Sequence, residues 1–204
     1  VICGADTGFG NALNVIRTTK EMELAGVAAV QFEDQVFPKR CGHLEGKQLI
    51  SKEEMVGKIR ASLKARQNPD MVIIARTDAL TVNGFEDAID RAFAYRQAGA
   101  DVIFVESPTS VEEMRAIPER LPDMPLLINL VDGKGKTPIL PAAELEAMGY
   151  KIAIYPACMW MASIWAMRRV LAELKENGSA LGYYDRMTDF EDLFEMVGLS
   201  AIRE

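Results

Sequence analysis

The sequence predicts an α/β fold: a (β/α)8 TIM barrel that is incomplete, with about six βα units, the first two missing, and a C-terminal helical extension. Three observations predict this fold. Six short apolar runs alternate with amphipathic helical segments. The runs are continuously apolar, as in parallel strands that are buried on both faces. No Gly-x-Gly-x-x-Gly follows a strand, so the dinucleotide site of an open doubly wound sheet has no support.

The predicted strands are apolar runs bounded by glycine, proline or acidic residues. They cover 1–3, 27–32, 71–75, 101–105, 126–130 and 152–155. The predicted helices show apolar side chains at helical spacing, and two of them open with capping boxes, Ser51-x-x-Glu54 and Ser110-x-x-Glu113. They cover 11–25, about 51–66, 85–97, a segment that begins at 110, 141–148 and about 159–177.

The predicted domains are a partial (β/α)8 barrel at 1–177 and a C-terminal helical tail at 178–204. Apolar residues in the tail, such as Phe190 and Phe194, have the spacing of an amphipathic helix. The chain opens with Val1 inside an apparent strand, so we expect sequence to be missing upstream. Its 204 residues also give each of six units roughly 30 residues, the size of a unit in an eight-unit barrel.

Composition and charge exclude several classes of function. The formal net charge is -7, which argues against nucleic acid or an anionic membrane surface as a partner. No apolar run approaches the roughly 18 to 20 residues of a membrane span. The three cysteines are odd in number and far apart, so a disulfide framework is not expected. A reducing cytoplasm fits best, and small anionic substrates are compatible with local arginine and lysine side chains.

The segment 33–43 concentrates charged and reactive side chains around one cysteine. Cys41 follows Lys39 and Arg40 and precedes Gly42 and His43. Nearby positive charge favours a thiolate over a thiol, which makes Cys41 a candidate acid, base or nucleophile. The charges and glycines also predict that the loop from 34 to 48 is a mobile gate over the substrate.

Polar residues stand at the carboxyl end of every predicted strand, where barrel enzymes build their sites. Asp6 and Glu33 suit a cation with oxygen ligands such as Mg²⁺, and Arg76 suits a bidentate grip on a substrate carboxylate. His43 is the only histidine, so neither a His-rich zinc site nor a Ser/His/Asp triad has support. The residues at the strand ends are Asp6, Glu33, Asp34, Arg76, Asp78, Glu106, Asn129 and Tyr155.

These motifs resemble the isocitrate lyase/phosphoenolpyruvate mutase superfamily over essentially the whole chain. The segments that carry the resemblance are Ala5-Asp6-Thr7-Gly8-Phe9-Gly10-Asn11, Glu33-Asp34-Gln35, Lys39-Arg40-Cys41-Gly42-His43, Ala75-Arg76-Thr77-Asp78-Ala79, Phe104-Val105-Glu106 and Lys136-Thr137-Pro138. The cysteine motif resembles that of the carbon–carbon lyases, and within them the enzymes of methylisocitrate or 2,3-dimethylmalate. The resemblance implies a (β/α)8 barrel, bound Mg²⁺, with Mn²⁺ as an alternative, and a homotetramer in which a C-terminal helix is exchanged between subunits.

The resemblance also implies an activity and a set of site residues. The activity is cleavage of a 2-hydroxy di- or tricarboxylate to a 2-oxo acid, pyruvate or glyoxylate, plus a carboxylic acid. Hydrolysis or decarboxylation of oxaloacetate or a related 2-oxo acid is the alternative within the superfamily, and a non-catalytic fragment or binding subunit is the alternative outside it. The implied catalytic residues are Cys41, His43, Arg76 and Glu106; the substrate-binding residues add Gly42, Asn129, Leu130 and Val131; the metal ligands are Asp6 and Glu33. Gly4 stands where the superfamily usually has a second metal-binding aspartate.

Overall fold

The computed structural model describes residues 1–133 and 135–203. It contains six strands in one parallel sheet, and the strands lie side by side in chain order. An open doubly wound sheet would reverse its strand order in the middle, so this order confirms the predicted barrel-type α/β fold. The strands are β1 (Ile2–Gly4), β2 (Ala29–Glu33), β3 (Val72–Thr77), β4 (Val102–Val105), β5 (Leu126–Asn129) and β6 (Ile152–Ile154).

Helices follow the strands as the sequence predicts. Ser51 Oγ accepts a hydrogen bond from the Glu54 amide, and Ser110 Oγ accepts one from the Glu113 amide, both at 3.1 Å. These bonds satisfy N–H groups that the first helical turn leaves free, which is why both serines start helices. The helices are α1 (Ala12–Leu24), α2 (Lys52–Ala65), α3 (Phe85–Gln97), α4 (Val111–Arg120), α5 (Ala142–Met148), α6 (Cys158–Asn177), α7 (Phe190–Met196) and α8 (Leu199–Arg203).

The structure differs from the predictions at element ends and in two short 3₁₀ turns. β3 continues to Thr77, so Arg76 lies within the strand and not after it. The 3₁₀ turns at Ala79–Thr81 and Leu181–Arg186 were not predicted, because such short pieces leave no hydrophobic period in the sequence.

Two apolar clusters cover the two faces of the sheet. The larger one joins strand residues such as Val30, Ile73 and Ile103 to the helices. The smaller one holds Ala29, Ile74, Val102, Phe104 and Leu127 on the opposite face. Successive strand side chains alternate between faces, so a residue two positions beyond a member of the smaller cluster lies on the same face. That alternation decides which strand-end residues meet.

The chain divides into two compact units, Val1–Ala157 and Cys158–Glu204. The first holds the sheet and α1 to α5. The second begins with α6, whose residues are all described and of which none is buried. In α7 the rings of Phe190 and Phe194 lie 5.7 Å apart. This division falls one helix earlier than the predicted boundary at 177, and the assignment of domains stays a prediction.

In the part of the chain that the structure describes, every helix is too short or too polar to cross a lipid bilayer.

Candidate active site

Side chains from four neighbouring strands meet on the sheet face of the smaller apolar cluster. Glu33 ends β2 and pairs in register with Arg76 of β3. Glu106 follows β4, and Asn129 ends β5. Each is at most 8% exposed. All four lie at the carboxyl ends of parallel strands, as predicted. They share one face of the sheet because each is an even number of residues beyond a member of the cluster.

Arg76 is the hub of an ion network. Its Nε and Nη2 bind Asp78 at 2.9 and 3.1 Å, its Nη1 binds Glu106 Oε2 at 2.9 Å, and its Nε lies 3.2 Å from Glu33. Burial opposes the charge on Arg76, but the surrounding carboxylates outweigh it and raise the pKa of the guanidinium. Every nitrogen of Arg76 is therefore engaged by a protein carboxylate, and the edge expected to grip a substrate carboxylate bidentately is occupied by Asp78.

Glu106 is fully buried yet held as a carboxylate. Burial alone would raise its pKa, but Arg76 and hydrogen-bond donors, Ser107 Oγ at 2.9 Å among them, lower it overall. Asn129 Nδ2 lies 3.4 Å from both Glu106 oxygens. Asn129 Oδ1 is buried and has no hydrogen-bond partner among the described residues. Because a buried polar atom is costly to leave unpaired, Asn129 Oδ1 is available to a ligand.

The loop between β2 and α2 is seated directly on this network through Gly42. The Gly42 carbonyl accepts hydrogen bonds from Lys47 Nζ and from Ser107 Oγ. A Cβ at Gly42 would lie 2.4 Å from Arg76 Nη2 and 2.5 Å from Glu106 Cγ. Only glycine allows the backbone to approach the Arg76–Glu106 pair this closely.

His43 presents one nitrogen to the network. The Lys136 amide donates to His43 Nδ1 at 2.9 Å, which leaves the proton of the neutral ring on Nε2. Nε2 lies 3.2 Å from Glu106 Oε1, but no described residue meets it in hydrogen-bond geometry. His43 can therefore donate this N–H to an oxygen of a bound ligand.

Cys41 is exposed on the same loop, one residue before Gly42. The basic side chains beside it in sequence bind other groups: Lys39 pairs with Asp6 and Glu33, His43 lies against Glu106, and Arg40 donates to the Glu45 carbonyl. The side chains expected to favour its thiolate are therefore each engaged elsewhere, while Cys41 itself stays exposed.

Asp6 and Glu33, the predicted metal ligands, converge on one point. Lys39 Nζ lies 3.5 Å from Asp6 Oδ1 and 3.0 Å from Glu33 Oε1. Glu33 Oε1 is buried and accepts no hydrogen bond from the described residues, and burial raises the pKa of this carboxyl group. Two carboxylates close enough to share a cation fit a hard metal ion that completes its shell with water and substrate oxygens.

The described residues contain no cluster of three or more metal-ligating side chains. Gly4, the position of the absent aspartate, has open space around it: a Cβ there would meet no atom within 4 Å. The candidate metal centre therefore has two carboxylates, and open space remains at Gly4, where the superfamily usually has an aspartate.

A second buried network supports the site from the helix side of the sheet. Asp34 Oδ1 accepts from the Asp78 amide at 2.9 Å, and Asp34 Oδ2 accepts from Thr77 Oγ1, Tyr95 Oη and Arg91 Nη1 at 2.7, 2.6 and 3.1 Å. Burial raises the pKa of Asp34 and of Tyr95. Through its bond to the Asp78 backbone, Asp34 fixes the residue that holds Arg76 and Lys47.

Two predicted substrate-binding residues are not brought to the network. Leu130 is fully buried in the larger, helix-facing cluster, because it directly follows Asn129 and strand alternation turns it to the other face. Val131 is half-buried in the loop after β5, beside Gly135. The structure instead adds Lys39, Lys47, Asp78 and Ser107 to the network. Of these, Asp78 carried a signal in the sequence as a strand-end residue and Lys39 as a neighbour of Cys41, whereas Lys47 and Ser107 carried none.

The chain is similar to proteins of known activity. A family model described as phosphoenolpyruvate phosphomutase matches residues 1–175. The 2,3-dimethylmalate lyase of Eubacterium barkeri is 51% identical over 204 residues, which are 100% of this chain and 70% of that protein. The 2-methylisocitrate lyase of Aeropyrum pernix is 48% identical over 198 residues, 97% of this chain and 63% of that one. The chain thus spans about two thirds of the length of these relatives.

Solved structures resemble the fold over essentially the whole chain. A 2,3-dimethylmalate lyase, described as a PEP mutase/isocitrate lyase superfamily member, gives a TM-score of 0.90 at 42% identity, with 100% of this chain and 67% of that one covered. An oxaloacetate acetylhydrolase bound to 3,3-difluorooxalacetate gives a TM-score of 0.91 at 38% identity, with 100% of this chain and 68% of that one covered. A phosphonopyruvate hydrolase bound to oxalate and Mg²⁺ gives a TM-score of 0.86 at 32% identity, with 99% of this chain and 70% of that one covered.

Proposed function

The chain belongs to the phosphoenolpyruvate phosphomutase family, within the PEP mutase/isocitrate lyase superfamily, and on that basis we propose that it is a carbon–carbon lyase. Its substrate is a 2-hydroxy di- or tricarboxylate of the 2,3-dimethylmalate or 2-methylisocitrate type. The products are a 2-oxo acid and a carboxylic acid. The observation that carries the proposal is the juxtaposition of an exposed Cys41 with the buried Arg76–Glu106 pair, on which Gly42 is seated.

The cleavage follows from the chemistry of such a substrate. The 2-hydroxyl loses its proton, the bond between C2 and C3 breaks, and its electron pair stays on C3, where the adjacent carboxylate delocalises it. Cys41 supplies the proton that forms the new C–H bond at C3. The hydroxyl proton passes to solvent water, and water returns a proton to the Cys41 thiolate, so the two products together contain the atoms of the substrate.

The other network residues bind and orient the substrate. His43 donates Nε2–H to a substrate oxygen, and Asn129 offers its unpaired Oδ1 to a hydroxyl. Arg76 places positive charge beneath the ligand and offsets negative charge that develops during cleavage. Since its nitrogens already bind Asp78 and Glu106, Arg76 acts through this field and not as a clamp on one carboxylate.

Asp6 and Glu33 would hold a divalent cation, Mg²⁺ or alternatively Mn²⁺. When bound, such a cation polarises the oxygens of the 2-oxo fragment. Support comes from the convergence of these two carboxylates and from the phosphonopyruvate hydrolase structure, whose description names Mg²⁺. The small number of protein ligands implies weak affinity in the absence of substrate.

Two further proposals concern the oligomeric state of the protein and its location in the cell. The second unit exposes large apolar side chains, Trp160 at 54% and Phe190 at 74% among them. An apolar surface of this kind supports a homo-oligomer, which we propose is a tetramer with exchanged C-terminal helices. A cytoplasmic location is proposed from the cysteine content and the acidic composition.

A panel of substrates tests the activity. The purified chain is incubated with Mg²⁺ and 2,3-dimethylmalate, 2-methylisocitrate or oxaloacetate, and products are identified by NMR. We expect a 2-oxo acid and a carboxylic acid in equal amounts from one of the first two. Hydrolysis of oxaloacetate alone would favour the second candidate, which the oxaloacetate acetylhydrolase structure supports at a TM-score of 0.91. Inactivity on all three would favour a non-catalytic fragment or binding subunit.

A further inference from the structure

The ammonium group of Lys39 lies between the two carboxylates assigned above to the metal. Asp6 follows β1 and Glu33 ends β2, so the pair comes from neighbouring strands, whereas Lys39 comes from the loop that follows β2. The Nζ–oxygen distances are 3.5 and 3.0 Å. The Lys39 side chain is 27% exposed, which leaves the ammonium reachable from solvent.

Glu33 depends on this ammonium more than Asp6 does. Its side chain is 2% exposed, against 43% for Asp6, so water cannot solvate its charge. Glu33 Oε2 faces Arg76, whereas Oε1 accepts no hydrogen bond from any described residue and has the Lys39 ammonium as its ion-pair partner at 3.0 Å. A buried carboxylate oxygen with an ion-pair partner and no hydrogen bond is a position that a stronger cation can take.

The charges of the network also leave a place for more positive charge. Four carboxyl groups, those of Asp6, Glu33, Asp78 and Glu106, face three basic side chains, those of Lys39, Lys47 and Arg76. With these groups in their usual charge states and a neutral His43, the balance is one negative charge even with Lys39 in place.

Lys39 is also tied to the seating of its loop. Gln35 clamps the Arg40 backbone, because its Oε1 accepts from the Arg40 amide at 2.9 Å and its Nε2 donates to the Arg40 carbonyl at 3.0 Å. The Val36 amide donates to the Gln48 carbonyl at 2.8 Å, and the Leu44 amide donates to the Cys41 carbonyl at 2.9 Å. The ion pairs of Lys39 with Asp6 and Glu33 connect this loop to the strand ends.

We propose that Lys39 competes with the divalent cation for the Asp6–Glu33 pair, so that metal binding releases Lys39 and loosens its loop. The proposal rests on the proposed function, which assigns these carboxylates to the metal. Mg²⁺ binds carboxylate oxygens directly at about 2.0 to 2.1 Å. An ammonium group on the same oxygens would lie within a few ångströms of a double positive charge and be repelled. The loop thus carries its own counter-ion, which keeps it seated until metal arrives. A carboxylate of the substrate then pairs with the released Lys39 ammonium and reseats the loop for cleavage.

Calorimetric titration with MgCl₂ tests the competition. Lys39→Met should bind Mg²⁺ about tenfold more tightly than the natural chain, a change within the usual range of coupling between neighbouring sites. Lys39→Arg keeps the charge and should retain the weak affinity. Lys20→Met, at an exposed position of α1, removes the same charge elsewhere and should also leave the affinity unchanged.

Hydrogen exchange tests the link to the loop. Mg²⁺ alone should lower the protection of the Val36 and Leu44 amides in the natural chain and change nothing in Lys39→Met. Equal Mg²⁺ affinity for the natural chain and Lys39→Met would overturn the proposal, as would Mg²⁺-induced protection of these amides or the absence of Mg²⁺ binding in every variant. Mg²⁺ affinity and hydrogen exchange can both be measured without turnover. If Lys39 competes with Mg²⁺ but the chain has no lyase activity, only the proposed function is wrong. If the chain has lyase activity but Lys39 does not compete with Mg²⁺, only the role of Lys39 is wrong.

Discussion

Gly42 lies so close to Arg76 that a single methyl group on its α-carbon would come within 2.4 Å of Arg76 Nη2. The loop therefore meets the ion network through bare backbone. The Gly42 carbonyl accepts hydrogen bonds from Lys47 Nζ and Ser107 Oγ at the same time. This contact fixes the backbone between Cys41 and His43, the residues on either side, and His43 Nε2 lies 3.2 Å from Glu106 Oε1.

We expect Gly42→Ala to lower kcat/KM by about 10²-fold, the usual cost of displacing catalytic groups by about 1 Å. The new methyl group must push the loop away from Arg76 and from Glu106 Cγ, which it would meet at 2.5 Å. Gly57→Ala is the matched control. It lies within α2, where a Cβ meets no atom within 4 Å, so activity should persist and stability should rise by about 0.5 to 1 kcal/mol. If Gly42→Ala has the same kcat/KM as the natural chain, the loop seated on Arg76 and Glu106 is not the catalytically active conformation.

Cys41→Ser should bind a dicarboxylate ligand as the natural chain does and lower turnover by roughly 10² to 10⁴, the range for loss of a positioned proton donor. Serine is close to cysteine in size but is a much weaker acid. Cys158→Ser changes another exposed cysteine, in the second unit, and should have no effect. Steady-state kinetics of both variants make the comparison, and undiminished turnover in Cys41→Ser would remove Cys41 from the chemistry.

Gly4→Asp should tighten Mg²⁺ binding, since the space around Gly4 admits a side chain beside Asp6. Gly4 does not adopt a positive φ, so the backbone tolerates the change. Gly4→Asn has the same shape without the charge and should gain much less affinity. Calorimetric titration and melting temperatures of the three proteins give the answer; unchanged affinity with a lower melting temperature would mean that Gly4 is structural and that the metal assignment is wrong.

Asp78→Asn should be destabilised by about 3 to 5 kcal/mol at pH 7, because it leaves Lys47 without its buried counter-ion and removes one of the three carboxylates around Arg76. Burial raises the pKa of Asp78, but Arg76 and Lys47 outweigh it and lower the pKa below its usual 3.8. A lowered folded-state pKa gives stability that is present above pH 3.8 and is lost as the pH falls through the folded-state value. Urea unfolding of both proteins from pH 7 to pH 3 should show a difference that shrinks below about pH 4, whereas a constant difference would contradict this ionisation.

The fold could be predicted because its signals are local. Continuous apolar runs such as 101–105 and the caps at Ser51 and Ser110 depend on neighbours in sequence, and each became the expected element. Strand ends were less certain, since β3 extends through Arg76 and Thr77 by pairing with β4.

The site could be predicted where it is built on strands and, for Gly42 and His43, where a sequence motif resembles that of a known superfamily. Glu33, Arg76, Glu106 and Asn129 meet because parallel strands end on the same side, which the sequence pattern indicates. Lys47 and Ser107 reach the network through the path of a loop, and no period in the sequence encodes that path. Lys39 was interpreted as a cation for Cys41, whereas it binds Asp6 and Glu33.

The central claim is that the chain breaks a carbon–carbon bond and that a proton then reaches the released carbon. NMR of the reactions of 2,3-dimethylmalate and 2-methylisocitrate in D₂O with Mg²⁺ tests it most directly. For the substrate that is cleaved, we predict a 2-oxo acid and a carboxylic acid in equal amounts, with one solvent deuterium on the released carbon of the carboxylic acid and a rate that falls in Cys41→Ser. Failure to cleave either substrate, or a carboxylic acid formed without deuterium, would contradict the account.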